Sequence, residues 1–448
     1  MINRKFIWGA ASSAFQIEGG IKGSGKGKSI WDVYFEQEAR FAELESCNHY
    51  LLWEKDVNIM KDIGISAYRF SINWTRIIPD GIGKVNIEGI DFYRRLIEKL
   101  LENGIEPYVT IFHWDYPYEL YRRGGWLSPD SSKWFEEYTY TIIKYLGDGI
   151  KNWLTINEPQ VFAGLGMQRG KIPPNQKYKE REIASIVHNI LLAHGNAVRI
   201  LRNEVKEEVN IGFSPVLDVY IPKTSKDVEV AKKKTIEDIA FYGKDIDLWN
   251  NRLWVQPIYE GRYPEEFIKI YQKHLPKYFE DDLKIIGQDL DFFGCNVYSG
   301  REVEQVGGDV IRTEMKNKHR SAIGWDITPE AIYWASRFFY ERYKKKILIT
   351  ENGVALSDWI DEDGEINDVG RIDYINKYIK EIEHAINDDI DIIGYFYWSL
   401  IDNLEWEKGY NYRFGLVYND FDKNIRIMKK SAYWYKNLIE KYRKDSNS

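Results

Sequence analysis

Short, nearly unbroken apolar runs alternate along the chain with longer stretches in which apolar residues recur every three or four positions. The first kind reads as strands buried on both faces, the second as helices that bury one face. The run Lys346-Ile347-Leu348-Ile349 stops abruptly on Thr350-Glu351-Asn352-Gly353, and Trp153-Leu154-Thr155-Ile156 stops on Asn157-Glu158-Pro159. Six further runs also read as strands: Phe6 to Gln16, Ala67 to Ile72, Tyr108 to His113, Val209 to Ser214, Leu290 to Tyr298 and Ile392 to Trp398. Between them, helical spacing through Val57, Met60 and Ile63 is stopped by Gly64. Spacing through Tyr93, Leu96, Ile97 and Leu100 is opened by Asn86 as a cap and closed by Asn103-Gly104. Further helices are predicted over about Trp134 to Leu146 and Ile183 to Asn203. Another starts at Thr328-Pro329-Glu330 with a cap and a first-turn proline, and another runs from a capping Asp368 through Ile386.

Eight predicted strands alternating with helices, without linker or repeat, point to an α/β fold: a single (β/α)8 TIM barrel with elaborated βα loops. It would form one catalytic domain over residues 1–448. A doubly wound open sheet is the alternative, but it gathers its ligand at one switch point. Here polar side chains end strands one, three, four, six and seven. Residues 301–327 are long for a strand-to-helix connection, and Gly307-Gly308 predicts a hairpin there, on the rim. The loop Gly23-Ser24-Gly25-Lys26-Gly27-Lys28 lacks the phosphate-loop pattern and reads as a flexible rim loop.

In such a barrel the strand ends converge on one face, where ligands collect. Glu158 and Glu351 are each delivered by a strand terminus, and two opposed carboxyl groups are what glycoside hydrolysis needs. The plainer alternative for either is a Glu that only caps a turn. Arg69 lies within an apolar strand and must meet an anion, because an unpaired buried charge is prohibitively costly. That anion is either a nearby structural acid or one of the two strand-end carboxylates. His113 ends a strand beside Trp114 and Asp115, but no His-x-His pair occurs, so neither a metal site nor a cofactor is expected.

Composition narrows the partners. Sixty-two basic residues face 69 acidic ones, a net charge of −7, which argues against nucleic acid. Most of the 16 Trp, 32 Tyr and 20 Phe read as core, but so high an aromatic content leans mildly towards carbohydrate, whose C–H faces suit aromatic rings. Two distant cysteines, Cys47 and Cys295, fit a reducing compartment. Arg4-Lys5 before Phe6-Ile7-Trp8-Gly9-Ala10 mimics a secretion signal, but the apolar run is shorter than the roughly 7–15 residues such a signal needs. No stretch approaches the ~20 apolar residues of a membrane span, so a soluble, cytoplasmic protein is expected.

Taken together, these motifs resemble glycoside hydrolase family 1, the β-glucosidase and β-galactosidase group, nearly end to end. The segments that carry the resemblance run from Phe6-Ile7-Trp8-Gly9-Ala10 through Gln16-Ile17-Glu18-Gly19, and include Tyr68-Arg69-Phe70-Ser71-Ile72 and His113-Trp114-Asp115. Thr155 to Pro159, Thr350 to Gly353 and Trp398-Ser399-Leu400-Ile401-Asp402-Asn403-Leu404-Glu405-Trp406 complete the series. The resemblance implies a retaining, exo-acting β-glycosidase that removes terminal β-D-glucosyl units, with galactosyl and fucosyl as alternatives. Glu351 would be the nucleophile and Glu158 the acid/base. Arg69 and Tyr298 would attend the nucleophile, Asn157 the sugar 2-hydroxyl, and Asn296 would stand with them or behind them. Gln16, His113, Glu405 and Trp406 would bind the outer hydroxyls over a floor of Trp398. Trp325 would flank the leaving group or merely anchor its loop.

Glu405 stands where relatives acting on 6-phosphorylated sugars carry a small hydroxyl residue, which implies an unphosphorylated glycone. The chain departs from the family pattern at Asn48, Leu51-Leu52-Trp53, Gln160, Val297 and Leu404, positions that bear on the leaving group more than on the chemistry. Two other functions compete: a transglycosylase with an apolar acceptor site, and a non-catalytic sugar-binding protein. The second would be expected to lack one of the two carboxylates. The expected partner is a small glycoside or oligosaccharide, cellulose fragments among them, and the oligomeric state is not legible.

Overall fold

A computed structural model describes residues 2, 5–20, 24–38, 45–307, 309–313 and 318–445. Its centre is an eight-stranded parallel barrel. The strands are β1 (Ile7–Ala11), β2 (Ala67–Ser71), β3 (Glu106–Phe112), β4 (Asn152–Asn157), β5 (Asn210–Ser214), β6 (Phe292–Asn296), β7 (Lys346–Asn352) and β8 (Ile392–Trp398). Their order is β5-β4-β3-β2-β1-β8-β7-β6, so the first and last strands pair. The seam between β5 and β6 is bridged at both ends. Asp291 N donates to Ile211 O at 2.9 Å, Asn296 N to Pro215 O at 3.0 Å, and Leu217 N to Asn296 O at 3.0 Å.

The apolar runs form strands because both faces are covered: every residue of β2, β4 and β6 is buried. Inside the barrel, Phe292, Phe396, Tyr108, Leu154 and Leu348 pack together. Two rings need space that only glycine leaves. A Cβ on Gly9 would lie 2.4 Å from the Phe396 ring, and one on Gly212 would lie 2.2 Å from Phe292. The main helices are α1 (His49–Ile63), α2 (Ile87–Glu102), α3 (Ser131–Leu146), α4 (Glu180–Glu204), α5 (Asn251–Glu260), α6 (Glu330–Tyr343), α7 (Val369–Asn387) and α8 (Lys430–Asp445). On α2 the periodic residues Tyr93, Leu96, Ile97 and Leu100 are the buried ones. No described helix is long and apolar enough to cross a membrane. Cys47 and Cys295 are buried free thiols.

Several local expectations fail for a common reason: polar side chains are drawn into tertiary bonds. Asn86 precedes α2 but does not cap it, because its amide donates to Ser24 O and Arg76 O, both at 2.9 Å. The Thr328 hydroxyl accepts from Gly300 N at 2.7 Å, and only its backbone carbonyl accepts from the helix, from Ala331 N at 3.0 Å. Asp368 bonds Arg371 and Ser431. The first strand stops at Ala11, and Gln16 lies on the short helix Ala14–Ile17, started by Ala14 N donating to the Ser71 hydroxyl at 2.8 Å.

The glycine-rich loop is anchored from Ser24 onward. Lys26 Nζ is 2.7 Å from Asp32, with both side chains buried. Gly23 and Arg4 lie outside the described residues. The rim hairpin is present as Gly300–Val306 paired antiparallel with Asp309–Arg312, although Gly308 lies outside the described residues. A third strand, Val219–Pro222, adds parallel to Gly300–Val306.

Candidate active site

Glu351 sits near the end of β7 opposite Asn296 of β6, across a register irregularity that begins after Ile349. Glu158 follows β4 directly with φ +45°. Its amide donates to Ser214 O at 2.8 Å, which holds this unusual backbone turn at the top of β5. Arg69 projects from β2 and ties three strands to its own. Its guanidinium donates to Glu351 Oε1 at 2.6 Å, Thr350 O at 3.0 Å, Asn157 Oδ1 at 2.7 Å and Thr110 Oγ1 at 3.1 Å. The second oxygen of Glu351 accepts from the Tyr298 hydroxyl at 2.6 Å. Burial, and then the charge of Glu351, push the Tyr298 pKa well up, so the phenol keeps its proton as a donor.

Glu158 has a different environment. It is buried and accepts one hydrogen bond, from Asn296 Nδ2 at 2.7 Å. Burial, and then the negative charge of Glu351, raise its pKa well above the carboxylate range, and the Asn296 bond opposes them. The amide orientations are fixed by the network around them. Asn296 Oδ1 accepts from Ser214 and Thr350 hydroxyls at 2.9 and 2.6 Å, so its nitrogen faces Glu158 and Asn157. Asn157 Oδ1 accepts from Arg69 and Asn296, so its nitrogen must face His113, 3.1 Å away. His113 Nε2 therefore accepts and the proton lies on Nδ1, which has no partner among the described residues. Burial, and then Arg69, lower the His113 pKa well below its ordinary value and keep the ring neutral.

A cavity of about 520 Å³ opens over these groups, lined by Glu158 and Glu351 together with His113, Trp398, Glu405 and Trp406. The His113 ring stacks on Trp398 at 5.8 Å and on Trp406 at 6.0 Å. Burial first, then Glu407 and Glu351, push Glu405 up to about 8, and its buried Oε2 is unpartnered among the described residues. Gln16 is fully buried and hydrogen-bonded to the Glu405 side chain, which lines the cavity. Its nitrogen donates to Leu404 O at 2.8 Å and Asn403 Oδ1 at 3.1 Å, and its oxygen accepts from Ser13 at 2.7 Å. Trp325 is 39% exposed at the mouth, 5.2 Å ring to ring from Tyr298. The structure thus gathers all twelve residues singled out from the sequence.

Other lining residues carry no motif. Val161, Leu165, Lys171 and Ile172 come from the segment after Glu158, where a π-helix (Gln160–Gln168) breaks the usual period. Asp218, Trp249 and Arg301 come from the long excursion after β5 and from the rim hairpin. Only the length of those excursions could have pointed to them. Among the described residues no group of His, Cys, Asp or Glu side chains could hold a metal ion.

The profile of glycosyl hydrolase family 1 matches residues 1–444. The chain is 38% identical over 444 residues to the 1,4-beta-D-glucan glucohydrolase of Thermotoga neapolitana, covering 97% of each. It is 39% identical over 449 residues to beta-glucosidase A of Acetivibrio thermocellus, covering 98% of each. A beta-glucosidase from Thermotoga maritima, solved in complex with deoxynojirimycin, superposes with a TM-score of 0.87 at 38% identity, over 98% of this chain and 99% of that one. A profile match across almost the whole chain, joined to identities of this size and the shared barrel, has one meaning: the chain belongs to glycosyl hydrolase family 1.

Proposed function

We propose that the chain is a retaining, exo-acting β-glucosidase working by double displacement. The observation that carries the reading is the unequal treatment of two carboxyl groups facing one cavity. Glu351 receives a guanidinium and a phenol, while Glu158 receives burial and a single amide. Glu158 accordingly starts protonated and gives its proton to the glycosidic oxygen as Glu351 attacks the anomeric carbon. The leaving group departs, and a glycosyl ester remains on Glu351. Glu158, now ionised, takes a proton from water, whose oxygen attacks the same carbon and frees Glu351. Arg69 and Tyr298 aim Glu351, and Asn296 aims Glu158 and Asn157. Asn157 serves the sugar 2-hydroxyl.

Trp398 forms the glycone floor. Gln16, His113 Nδ1, Glu405 and Trp406 hold the outer hydroxyls, and the Gln16 amide also bonds Glu405. An unphosphorylated sugar is favoured. Lys408, the basic residue at that end, has Glu407 3.6 Å away, and a phosphate dianion would face both Glu407 and Glu405. Trp325 flanks the leaving group. On this reading residues 1–448 form one cytoplasmic catalytic domain that needs no cofactor and acts on small β-glucosides or oligosaccharides, including fragments from cellulose degradation.

The test is nitrophenol release from an aryl β-D-glucoside by the purified protein near neutral pH. Turnover that is lost in Glu351→Gly and regained with azide supports the reading. Cleavage of only the 6-phosphate analogue would refute the glycone assignment, and no turnover from folded protein would refute the activity.

Transfer to an alcohol acceptor is a second reading, favoured by the apolar wall of Val161, Leu165, Ile172 and Val216 beside Glu158. Product ratios in the presence of a simple alcohol would separate it from hydrolysis.

A further inference from the structure

The turn that carries Glu158 is fastened to its surroundings by a side chain outside the residues considered so far. Glu158 N donates to Ser214 O at 2.8 Å and so continues the β4–β5 ladder beyond the pairing of Asn157 with Ser214. Pro159 has no N–H to give, and the chain then enters the π-helix Gln160–Gln168. The Gln160 side chain takes over, its Nε2 donating to Val216 O at 2.9 Å. Gln160 lies two residues after Glu158, and Val216 two after Ser214. The amide thus supplies the next rung of a parallel ladder after the backbone has turned away.

Only the nitrogen of that amide can face a carbonyl oxygen, which fixes its orientation. Its Oε1 is buried and has no partner among the described residues. An apolar side chain of like size would fill the same space without leaving an acceptor unpaired, so packing alone does not account for the amide. Val216 is held from its other side as well. It bridges Asn296 of β6, with Asn296 N donating to Pro215 O and Leu217 N to Asn296 O, both at 3.0 Å. Asn296 Nδ2 in turn reaches Glu158 Oε1 at 2.7 Å. These contacts close a circuit: Glu158 to Asn296 by side chains, Asn296 to Val216 by backbone, and Val216 to Gln160 on the turn of Glu158 itself. Val216 and Leu217 also line the cavity together with Glu158. The place of the Glu158 carboxyl relative to that wall, and so to a glycosidic oxygen lying against it, depends on this circuit.

We propose that Gln160 is a positioning residue for proton transfer by Glu158, setting the acid against the leaving group. The proposal rests on the β-glucosidase reading and adds a residue to its first step. It gives a chemical meaning to one position at which the chain departs from its family's pattern. In that step Glu351 attacks the anomeric carbon, the glycosidic bond breaks, and the Glu158 proton passes to the leaving oxygen. A misplacement of about 1 Å can cost about 100-fold in such a transfer. A leaving group that departs as a stable anion needs no proton and escapes most of that loss.

The test measures kcat/KM for dinitrophenyl β-D-glucoside, whose phenolate leaves unaided, and for phenyl β-D-glucoside, whose leaving oxygen needs the proton. Wild type is compared with Gln160→Met, which keeps the length and loses the donor, and with Gln160→Asn, which keeps the amide and loses the reach. In both variants the ratio of the first value to the second should rise by about 10-fold, because the phenyl substrate loses that much more than the dinitrophenyl one. A ratio held at the wild-type value in either folded variant, whether the two rates are kept or fall together, would overturn the proposal and leave the activity reading standing. If wild type cleaves neither glucoside, the activity reading fails and the proposal with it.

Discussion

One nitrogen of Asn296 serves two neighbours: Nδ2 lies 2.7 Å from Glu158 Oε1 and 3.1 Å from Asn157 Oδ1. The acid/base candidate and the residue proposed to read the 2-hydroxyl are thereby positioned by one side chain, which two hydroxyls hold from β5 and β7. Asn296→Ala should lower kcat/KM on an aryl β-glucoside by about 10–100-fold, the scale of one hydrogen bond to a charged group. Its bond also lowers the Glu158 pKa, so its removal should move the alkaline limb of kcat/KM to higher pH. A pH profile of the variant separates this from general damage, which would lower the curve without shifting it.

Arg69 is fully buried and donates to four acceptors on three other strands. Arg69→Met would leave the Glu351 carboxyl buried without its cation. The expected cost is about 3–5 kcal/mol of stability, read as a lowered denaturation midpoint, with activity falling more than about 100-fold. Arg69→Lys cannot span these acceptors with one nitrogen and should recover little of either.

Asp115, beside His113, is buried with neither carboxyl oxygen partnered among the described residues. Burial is the largest cause that raises its pKa to about 8 from 3.8. The folded state then binds more protons than the unfolded one between these values, so this group makes stability fall as pH rises from about 4 to about 8. Above that range its effect is constant. Asp115→Asn removes the titration, and the variant's thermal midpoint minus that of wild type should grow more positive across this window and then level off. A difference that stays flat with pH would contradict the assignment.

Trp325 is 39% exposed and packs on Tyr298 and Phe414, so Trp325→Ala should cost less stability than loss of a fully buried Trp, under about 3 kcal/mol. If it flanks the leaving group, KM should rise several-fold for aryl glucosides, while inhibition by free glucose, which occupies only the glycone side, stays near wild type. Equal effects on both would return Trp325 to a loop-anchoring role.

The barrel was legible because parallel strands covered on both faces leave apolar runs that end where backbone gives way to chemistry. Glu158, Glu351 and Arg69 stood out by that contrast alone, a carboxylate after a buried run or a cation within one. Helix starts were less legible. Asn86, Thr328 and Asp368 have the right chemistry for caps, but each is claimed by a tertiary partner that local sequence does not show. The leaving-group wall was hidden for a different reason. Lys171, Asp218, Trp249 and Arg301 sit on excursions whose path is set by packing against distant segments, so neither spacing nor motif marks them. Gln16 was marked by resemblance alone, and its bonds to Ser13, Asn403, Leu404 and Glu405 depend on tertiary neighbours that local sequence does not show.

The central claim is that Glu351 carries the sugar as a covalent ester. An activated 2-deoxy-2-fluoro-β-D-glucoside tests it directly, because the fluorine slows both steps while the good leaving group lets the first proceed. Peptide mapping by mass spectrometry should then find one fluoroglucosyl group, on Glu351 in the peptide that contains Thr350-Glu351-Asn352. A label on Glu158 or any other residue, or no label while substrate is still turned over with inversion at the anomeric carbon, would contradict the account.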